Sequence, residues 1–279
     1  MLALLGRFIV HQPLGAAGAL VVLALVVVAV GAPLLSPHGP KEATFAPYLP
    51  PSAEFPMGTD QVGRDVLSRV IWGARLSLYI GLASVVLGVT LGSLWGVATA
   101  YFGGLADAGS QRVVDSLMAL PPIILALSLM AALGQSVNNV ILALTILLTP
   151  TAARTLRAVA LGVAVMPYIE AARAMGTPQW RIIARHLIPN CLAAYIVLLT
   201  ANVSYAIVVE ASLSFIGAGA PPDEPSWGGM LTAGIQALET APWMVFFPGV
   251  AISLTVFGLN LLGDSIRDVT DPRLRGGLG

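Results

Sequence analysis

The side chains that could carry catalytic chemistry are few and widely separated in this sequence. Its 279 residues include three histidines, His11, His38 and His186, and one cysteine, Cys191. No Ser/His/Asp arrangement or H-E-x-x-H pattern joins them, and a lone cysteine forms neither an intramolecular disulfide nor a familiar zinc site. We therefore predict that the chain is not an enzyme, has no catalytic residues and binds no metal.

The sequence also lacks a nucleotide-binding loop. The phosphate loop of many ATPases, G-x-x-x-x-G-K-[ST], places a lysine on the phosphates. The only lysine, Lys41, lies in a proline-rich segment that does not fit this pattern. We expect this chain to bind no cofactor of its own.

The composition places the chain in a membrane. Hydrophobic residues make up 57% of the sequence and charged residues 10%, where soluble domains carry about 25% charged residues. The formal net charge is zero, so no global field attracts nucleic acid. Glu210 is the one acidic residue inside a long apolar segment, and such a carboxylate is costly unless it is hydrogen-bonded or faces water.

Long apolar segments predict six membrane-spanning helices. A helix that crosses ~30 Å of hydrocarbon needs about 20 apolar residues. Five segments meet that length: residues 14–35, 76–102, 116–133, 192–215 and 242–262. The sixth begins at Val137 and is short because Arg154 and Arg157 follow, so we expect these arginines to extend toward the membrane surface. The first segment exceeds the core of a signal peptide and is predicted to be a retained helix.

The basic residues predict the orientation, because they are enriched on the cytoplasmic side of membrane proteins. Six spans place both termini on one side. That side carries Arg7, Arg112, Arg154, Arg157, Arg173, Arg181, Arg185, Arg267, Arg273 and Arg275, and the other carries Lys41, Arg64, Arg69 and Arg75. We predict cytoplasmic termini, external segments at residues 36–75 and 216–241, and a long cytoplasmic connection at residues 158–190.

A ladder of small residues marks the second span. Every fourth residue is small, which puts them on one helix face where another backbone can approach closely. The ladder consists of Ser84, Gly88, Gly92, Gly96 and Ala100. This pattern predicts helix packing and no chemistry, although glycine is common in membrane helices in any case.

Before the second span, residues 58–78 read GTDQVGRDVLSRVIWGARLSL. The Asp60/Arg64 and Asp65/Arg69 spacings are helical, and a valine stripe at positions 62, 66 and 70 predicts an amphipathic helix along the outer membrane surface. This string resembles the segment between the first two spans of dipeptide and oligopeptide permease subunits. A solvated cap is the alternative.

The most informative string is EAARAMGTPQWRIIARHLIP, residues 170–189. Its alanines favour close helix approach, Gly176 and Pro178 predict a turn, and a second helix is predicted from about residue 179 to 186. The string resembles the EAA loop of binding-protein-dependent importer permeases, with His186 where the family pattern has isoleucine. A solvated connector is the alternative to a docking element. The candidate ATPase-coupling residues are Glu170, Ala171, Ala172, Arg173, Gly176, Thr177, Pro178, Trp180, Arg181 and Arg185.

Two later strings support the same resemblance. ASLSFIGAGAPPDEPSWGGML (residues 211–231) and LLGDSIRDVTDPRLR (residues 261–275) look like the outer loop and the C-terminal tail of peptide-permease subunits. The family has an acid before the ASLSF string whatever its substrate, which favours a gating or structural role for Glu210. Asp223, Glu224 and Trp227 are candidate contacts for a binding protein, with an ordinary interfacial aromatic and solvated acids as the alternative.

The resemblance implies a fold and a set of partners. The family is the dipeptide/oligopeptide/nickel permease family of binding-protein-dependent ABC importers, with a type I importer permease fold in the bacterial cytoplasmic membrane. We expect an N-terminal region at residues 1–75 and a permease domain at residues 76–279. The implied partners are a homologous second permease subunit, two ABC ATPase subunits that bind ATP and magnesium, and an extracytoplasmic substrate-binding protein.

The implied substrate is a di- or oligopeptide. Nickel, glutathione and opines are alternatives within the same architecture. A secondary transporter is a more distant alternative, because it needs ion-coupling carboxylates near midplane and helices broken in matched halves. Only Glu210 fits that requirement in this sequence.

Overall fold

The structure is a computed structural model that describes residues 12–270. Within that range the helices are α1 (Pro13–Val30), α2 (Ala32–Leu35), α3 (Val66–Phe102), α4 (Gly104–Met118), α5 (Pro122–Leu133), α6 (Val137–Ala164), α7 (Pro167–Ala174), α8 (Gln179–Ile182), a π-helical turn (Ile183–Leu187), α9 (Ile188–Phe215), α10 (Trp227–Ile235) and α11 (Trp243–Thr270). Predictions that involve Arg7, His11, Arg273 and Arg275, and the end of the C-terminal string, lie outside the described residues.

The membrane-spanning helices agree with the predicted architecture. Five helices in the described range are long and apolar enough to cross a membrane, and there are six if the bent pair α4 and α5 forms one span. The protein is an all-helical, multi-pass integral membrane protein.

The start of the second span differs from the prediction. Helix α3 begins only at Val66, where the Asp65 carboxylate caps it by accepting hydrogen bonds from the amides of Leu67 and Ser68. Residues 58–65 form turns, so no amphipathic helix runs over residues 58–78 along the membrane surface. The domain boundary predicted between residues 75 and 76 also falls inside α3, which continues unbroken to Phe102.

Of the two predicted charged pairs at the start of α3, only Asp60–Arg64 forms. The Arg64 side chain donates to Asp60 at 2.6 Å within a turn. Arg69 instead donates to the carbonyl of Pro40 at 2.9 Å and lies 3.8 Å from Asp60. Asp65 is therefore used as a helix cap and not as the partner of Arg69.

The third span is broken near its predicted start. Residues 116–133 were predicted to be one helix, but α4 ends at Met118 and α5 starts at Pro122, and the two helices meet at 89°. Pro121 has no amide hydrogen, and Pro122 disfavours the helical conformation of the residue before it. Helix α5 has 12 residues and reaches only ~18 Å along its axis.

The fourth span continues past its arginines. Helix α6 runs to Ala164, so Arg154 and Arg157 lie within it. Arg157 donates two hydrogen bonds of 2.6 Å to Asp107 of α4, and Arg154 pairs with Asp115 of the same helix. These arginines hold α4 against α6, and their extension toward the membrane surface stays a prediction.

The predicted ladder of small residues lies at the interface between α3 and α6. A Cβ atom at Gly88 would lie 2.9 Å from Leu148 Cβ, and one at Gly92 would lie 2.8 Å from Ala152 Cβ and closer still to the Thr149 carbonyl oxygen. The Ser84 hydroxyl donates to the carbonyl of Ile80 in its own helix. The ladder thus packs two helices of one chain, and α3 and α6 form the centre of the bundle.

A second close approach holds the first span. Gly18 of α1 faces Gly258 of α11, and a Cβ at Gly18 would lie 2.7 Å from the Gly258 carbonyl oxygen. Only 17% of the most apolar part of α1 is buried, against 56% for α3 and α6. Helix α1 is therefore a peripheral element that packs mainly against α11 and also against α3.

Candidate functional site

Residues 165–187 form a helical turn that projects from the bundle, and we call them the 165–187 segment. Helix α7 begins at Pro167, which supplies a suitable φ angle and lacks an amide that would go unpaired in the first turn. It starts three residues before Glu170, the first residue of the EAARAMGTPQWRIIARHLIP string. The predicted connection at residues 158–190 is shorter in the structure, because its first residues belong to α6 and its last to α9.

The turn between α7 and α8 closes on Gly176, as the sequence predicts. Gly176 has φ +74°, a conformation that costs glycine little and other residues more. The amide of Gly176 donates to the carbonyl oxygen of Arg173 at 3.0 Å. The amide of Thr177 donates to the carbonyl oxygen of Ala172 at 3.1 Å. These two bonds form a Schellman motif, which satisfies the last carbonyls of α7.

One face of the 165–187 segment is anchored in an apolar cluster. Ile169, Ile182 and Leu187 are fully buried. They pack with Ala172, Cys191 and residues of the two central helices: Val97, Ala100, Leu156 and Ala160. The segment therefore sits firmly on the ends of α3 and α6.

The other face of the 165–187 segment is exposed and carries most of the predicted coupling residues. Met175 is 77% exposed and Trp180 66% exposed, although large apolar side chains are usually buried. The remaining exposed members of the predicted set are Glu170, Ala171, Arg173, Gly176, Pro178, Arg181 and Arg185, whereas Ala172 is buried and Thr177 partly buried. The sequence analysis missed Met175, although it lies directly before the predicted turn.

Two arginines on the exposed face are oriented by aromatic rings. The Arg173 guanidinium lies 4.9 Å from the ring centre of Tyr101, which belongs to α3. The Arg181 guanidinium lies 5.4 Å from the ring centre of Trp180. Both distances are within the range of cation–π attraction, so these side chains present their charge in a defined direction.

Glu210 is completely buried in α9. Its carboxyl group accepts a hydrogen bond from Ser214 at 2.8 Å and a longer one, 3.4 Å, from Ser77 of α3. Within residues 12–270 it forms no ion pair. The carboxyl group thus joins α9 to α3 through hydroxyl groups, and its gating or structural role stays a prediction.

The predicted contact residues for a binding protein divide into two groups. Trp227 is 1% exposed, and its indole donates to the carbonyl of Val70 at 3.0 Å. Gly73 leaves the space for the ring, since a Cβ there would lie 2.6 Å from the indole. The prediction was therefore wrong for Trp227, which fixes α10 to α3.

The two acids of this group remain near the surface. Asp223 is exposed, and Glu224 pairs with Lys41 at 2.7 Å. Both line an open cavity of about 550 Å³, with mixed polar and apolar walls, on the side predicted to be external. No cluster of three or more metal-ligating side chains occurs in the described part of the chain.

Comparison with known proteins gives the family. The sequence model described as "Binding-protein-dependent transport system inner membrane component" matches residues 88–276. A putative peptide transport system permease protein of Brucella suis is 44% identical over 260 residues, which cover 92% of this chain and 87% of the relative. A glutathione transport system permease protein of Pectobacterium atrosepticum is 37% identical over 271 residues, or 96% of this chain and 90% of the relative.

A solved structure shares the fold. Inward-facing crystal structures of the MetNI methionine ABC transporter include a chain that superposes with a TM-score of 0.58, at 21% identity, over 74% of this chain and 97% of that one. The present chain thus has the type I ABC importer permease fold. The sequence relatives, the family match to residues 88–276 and the multi-pass helical bundle agree, and the chain belongs to the family of inner membrane components of binding-protein-dependent transport systems.

Proposed function

We propose that this chain is a permease subunit of an ATP-driven importer and that it passes di- or oligopeptides across the cytoplasmic membrane. The observation that carries the proposal is the 165–187 segment, which is anchored on one face and exposes Met175 and Trp180 on the other. An exposed apolar pair beside oriented arginines is suited to a protein partner.

The partner that fits this face is an ATPase subunit. A groove on the ATPase would bind the apolar tip, and Glu170, Arg173, Arg181 and Arg185 would set the orientation of the contact. Two such ATPase subunits, a homologous second permease and an extracytoplasmic binding protein complete the proposed assembly. ATP and magnesium would bind to the ATPase subunits and not to this chain, whose one lysine pairs with Glu224.

The proposed substrate rests on the sequence relatives. The Brucella suis relative is named for peptide transport, and the Pectobacterium atrosepticum relative for glutathione, which is itself a modified tripeptide. Both names point to short chains with amide bonds. Glutathione is therefore the alternative that these relatives favour over nickel or opines.

The mechanism follows from the way the 165–187 segment is connected. Helix α6 leads into it and α9 leads out of it, so movement of an attached ATPase is passed directly to two helices of the bundle. Rigid-body movement of these helices would open the path to one side of the membrane and then to the other.

The test uses Gly176→Val in the reconstituted complex. Valine at a positive φ angle is strained by roughly 1 to 3 kcal/mol, which is too little to remove the helices from the membrane but enough to redirect α7. We expect the variant to assemble and to hydrolyse ATP with greatly reduced peptide uptake, measured in the same vesicles.

Gly134→Val is the matched control. Gly134 has φ +82° and, like Gly176, has no atom within 4 Å of the position that a Cβ would occupy. Gly134 lies after α5, at the other end of the bundle. Valine at this position is therefore strained in the same way as valine at position 176, but far from the 165–187 segment. Equal coupling in the wild type and the Gly176 variant would show that this segment does not transmit ATPase motion.

A further inference from the structure

A cavity of about 290 Å³ lies between α5, α6 and α9, beside the break that separates α4 from α5. Its walls are mainly apolar, and three of its lining residues, Thr151, Asn202 and Tyr205, carry polar side-chain groups. The volume is close to the lower limit of small-molecule sites, about 300 Å³.

Two of the polar residues of this cavity, Asn202 and Tyr205, lie deep in the membrane, whereas Thr151 is only three residues from Arg154. Tyr205 precedes the end of α9 at Phe215 by ten residues, which corresponds to ~15 Å of helix, half of a ~30 Å hydrocarbon layer. Thr151 directly follows Pro150 within α6. Polar side chains at this depth face protein, a ligand or a water-filled path.

Two of these hydroxyl groups have no hydrogen-bond partner within residues 12–270. Threonines in membrane helices usually donate to the carbonyl one turn earlier, and Thr149 and Thr155 of the same helix do so, at 2.7 and 2.9 Å. Thr151 makes no such bond. The Tyr205 hydroxyl is also unpaired. Both side chains are exposed in this chain, Tyr205 to 40%, so their hydroxyl groups are accessible to a molecule in the cavity.

A second tyrosine of α9 shows the contrast. Tyr195, which lies ten residues before Tyr205, bonds to the Thr90 hydroxyl at 2.8 Å. Two of the polar groups that line its cavity of about 180 Å³ therefore bond to each other, although the buried Ser93 hydroxyl in the same lining has no partner in the described part of the chain. Asn202 is intermediate: its amide nitrogen donates to the carbonyl of Leu198 at 2.8 Å, which leaves its oxygen available as an acceptor.

We propose that the cavity between α5, α6 and α9 is this subunit's wall of the substrate path, and that Thr151, Asn202 and Tyr205 bind the peptide groups of a passing substrate. The proposal rests on the proposed function. Hydroxyl groups donate and accept, and the Asn202 oxygen accepts, so the three residues match the C=O and N–H groups of an amide backbone.

The chemistry of the cavity favours an amide substrate over a metal ion. None of its lining residues is an aspartate, glutamate, histidine or cysteine, the side chains that bind divalent cations such as nickel. Neutral hydrogen-bond donors and acceptors also bind the peptide backbone without selecting a particular side chain. A permease built this way passes peptides of varied sequence and leaves selection to its binding protein.

The test measures import and ATP hydrolysis by complexes that contain wild-type chain, Tyr205→Phe or Tyr79→Phe, with the same binding protein and ATPase subunits. Tyr79 is the control because it is 56% exposed on α3 near the outer end of its span. Loss of one hydrogen bond changes a rate by about five-fold. We expect Tyr205→Phe to reduce the maximal import rate about five-fold, with an unchanged KM for the loaded binding protein, and Tyr79→Phe to have no effect.

A second variant tests access directly. Thr151→Cys, made after replacement of the native cysteine, should react with a water-soluble maleimide in the assembled complex and be protected while peptide is being transported. Normal import by Tyr205→Phe, or a Thr151→Cys thiol that peptide does not protect, would overturn this proposal while wild-type peptide import still supports the proposed function. Absence of peptide import by the wild type would overturn both.

Discussion

Substitution of Gly92 by alanine tests how closely α3 and α6 pack. The new Cβ would lie 2.8 Å from Ala152 Cβ, where ordinary contact begins at 3.4 Å, so the two helices must separate by at least about 0.6 Å. Overpacking of this kind costs about 1 to 3 kcal/mol. Alanine also favours a helix over glycine by about 1 kcal/mol, which partly offsets that cost.

Gly162→Ala isolates the packing cost. Gly162 lies in α6, and a Cβ there would have no atom within 4 Å, so this variant gains the same helix preference without the clash. The difference between the two variants is therefore about 1 to 3 kcal/mol.

Thermal denaturation in detergent, followed by the fraction of protein that stays monodisperse, measures this difference. For a chain of this size we expect Gly92→Ala to denature roughly 2 to 10 °C below Gly162→Ala. Equal midpoints for the two variants would mean that α3 and α6 are not packed through the ladder, and the central interface described above would be wrong.

Two further predictions concern the buried acid and the orientation. Glu210→Leu should lower the same denaturation midpoint, because it leaves the hydroxyl groups of Ser77 and Ser214 without an acceptor, which costs about 1 to 3 kcal/mol of stability. Glu210→Gln keeps an acceptor and should lose less stability. Equal losses of stability in the two variants would contradict the hydrogen-bonding role. In intact cells, and after removal of the native cysteine, an impermeant thiol reagent should label Asp223→Cys and not Ala174→Cys, and the reverse pattern would invert the topology.

Local features of this protein could be predicted from the sequence. The apolar segments identify the spans because length and hydrophobicity alone decide whether a helix fits a bilayer. The turn at Gly176 was predictable because Gly and Pro change the allowed backbone angles of their own residues. The small-residue ladder was predictable as a packing face, but the sequence does not say that its partner is α6 of the same chain.

The features that the sequence analysis missed depend on contacts between distant residues. Trp227 looks like an exposed interfacial aromatic in sequence, and only the space above Gly73, 154 positions earlier, shows that it is buried. Arg157 similarly finds Asp107, 50 positions earlier. The break before α5 does not depend on distant residues. The Pro121-Pro122 pair is a local signal for it, but the prediction of one helix over residues 116–133 used only the number of apolar residues.

The continuity of the fifth span has a mechanical consequence. Helix α8, the π-helical turn and α9 form one 37-residue candidate span, Gln179–Phe215, a rod of about 55 Å. The rod starts beside Trp180 and carries Tyr205 and Glu210 along its length. If it pivots where the Glu210 carboxyl group joins it to α3, a tilt of about 5° displaces its far end by about 4 Å. The same tilt moves Tyr205, five residues from the pivot, by only about 0.7 Å, so a large movement of an attached motor becomes a small adjustment of the helix near Glu210.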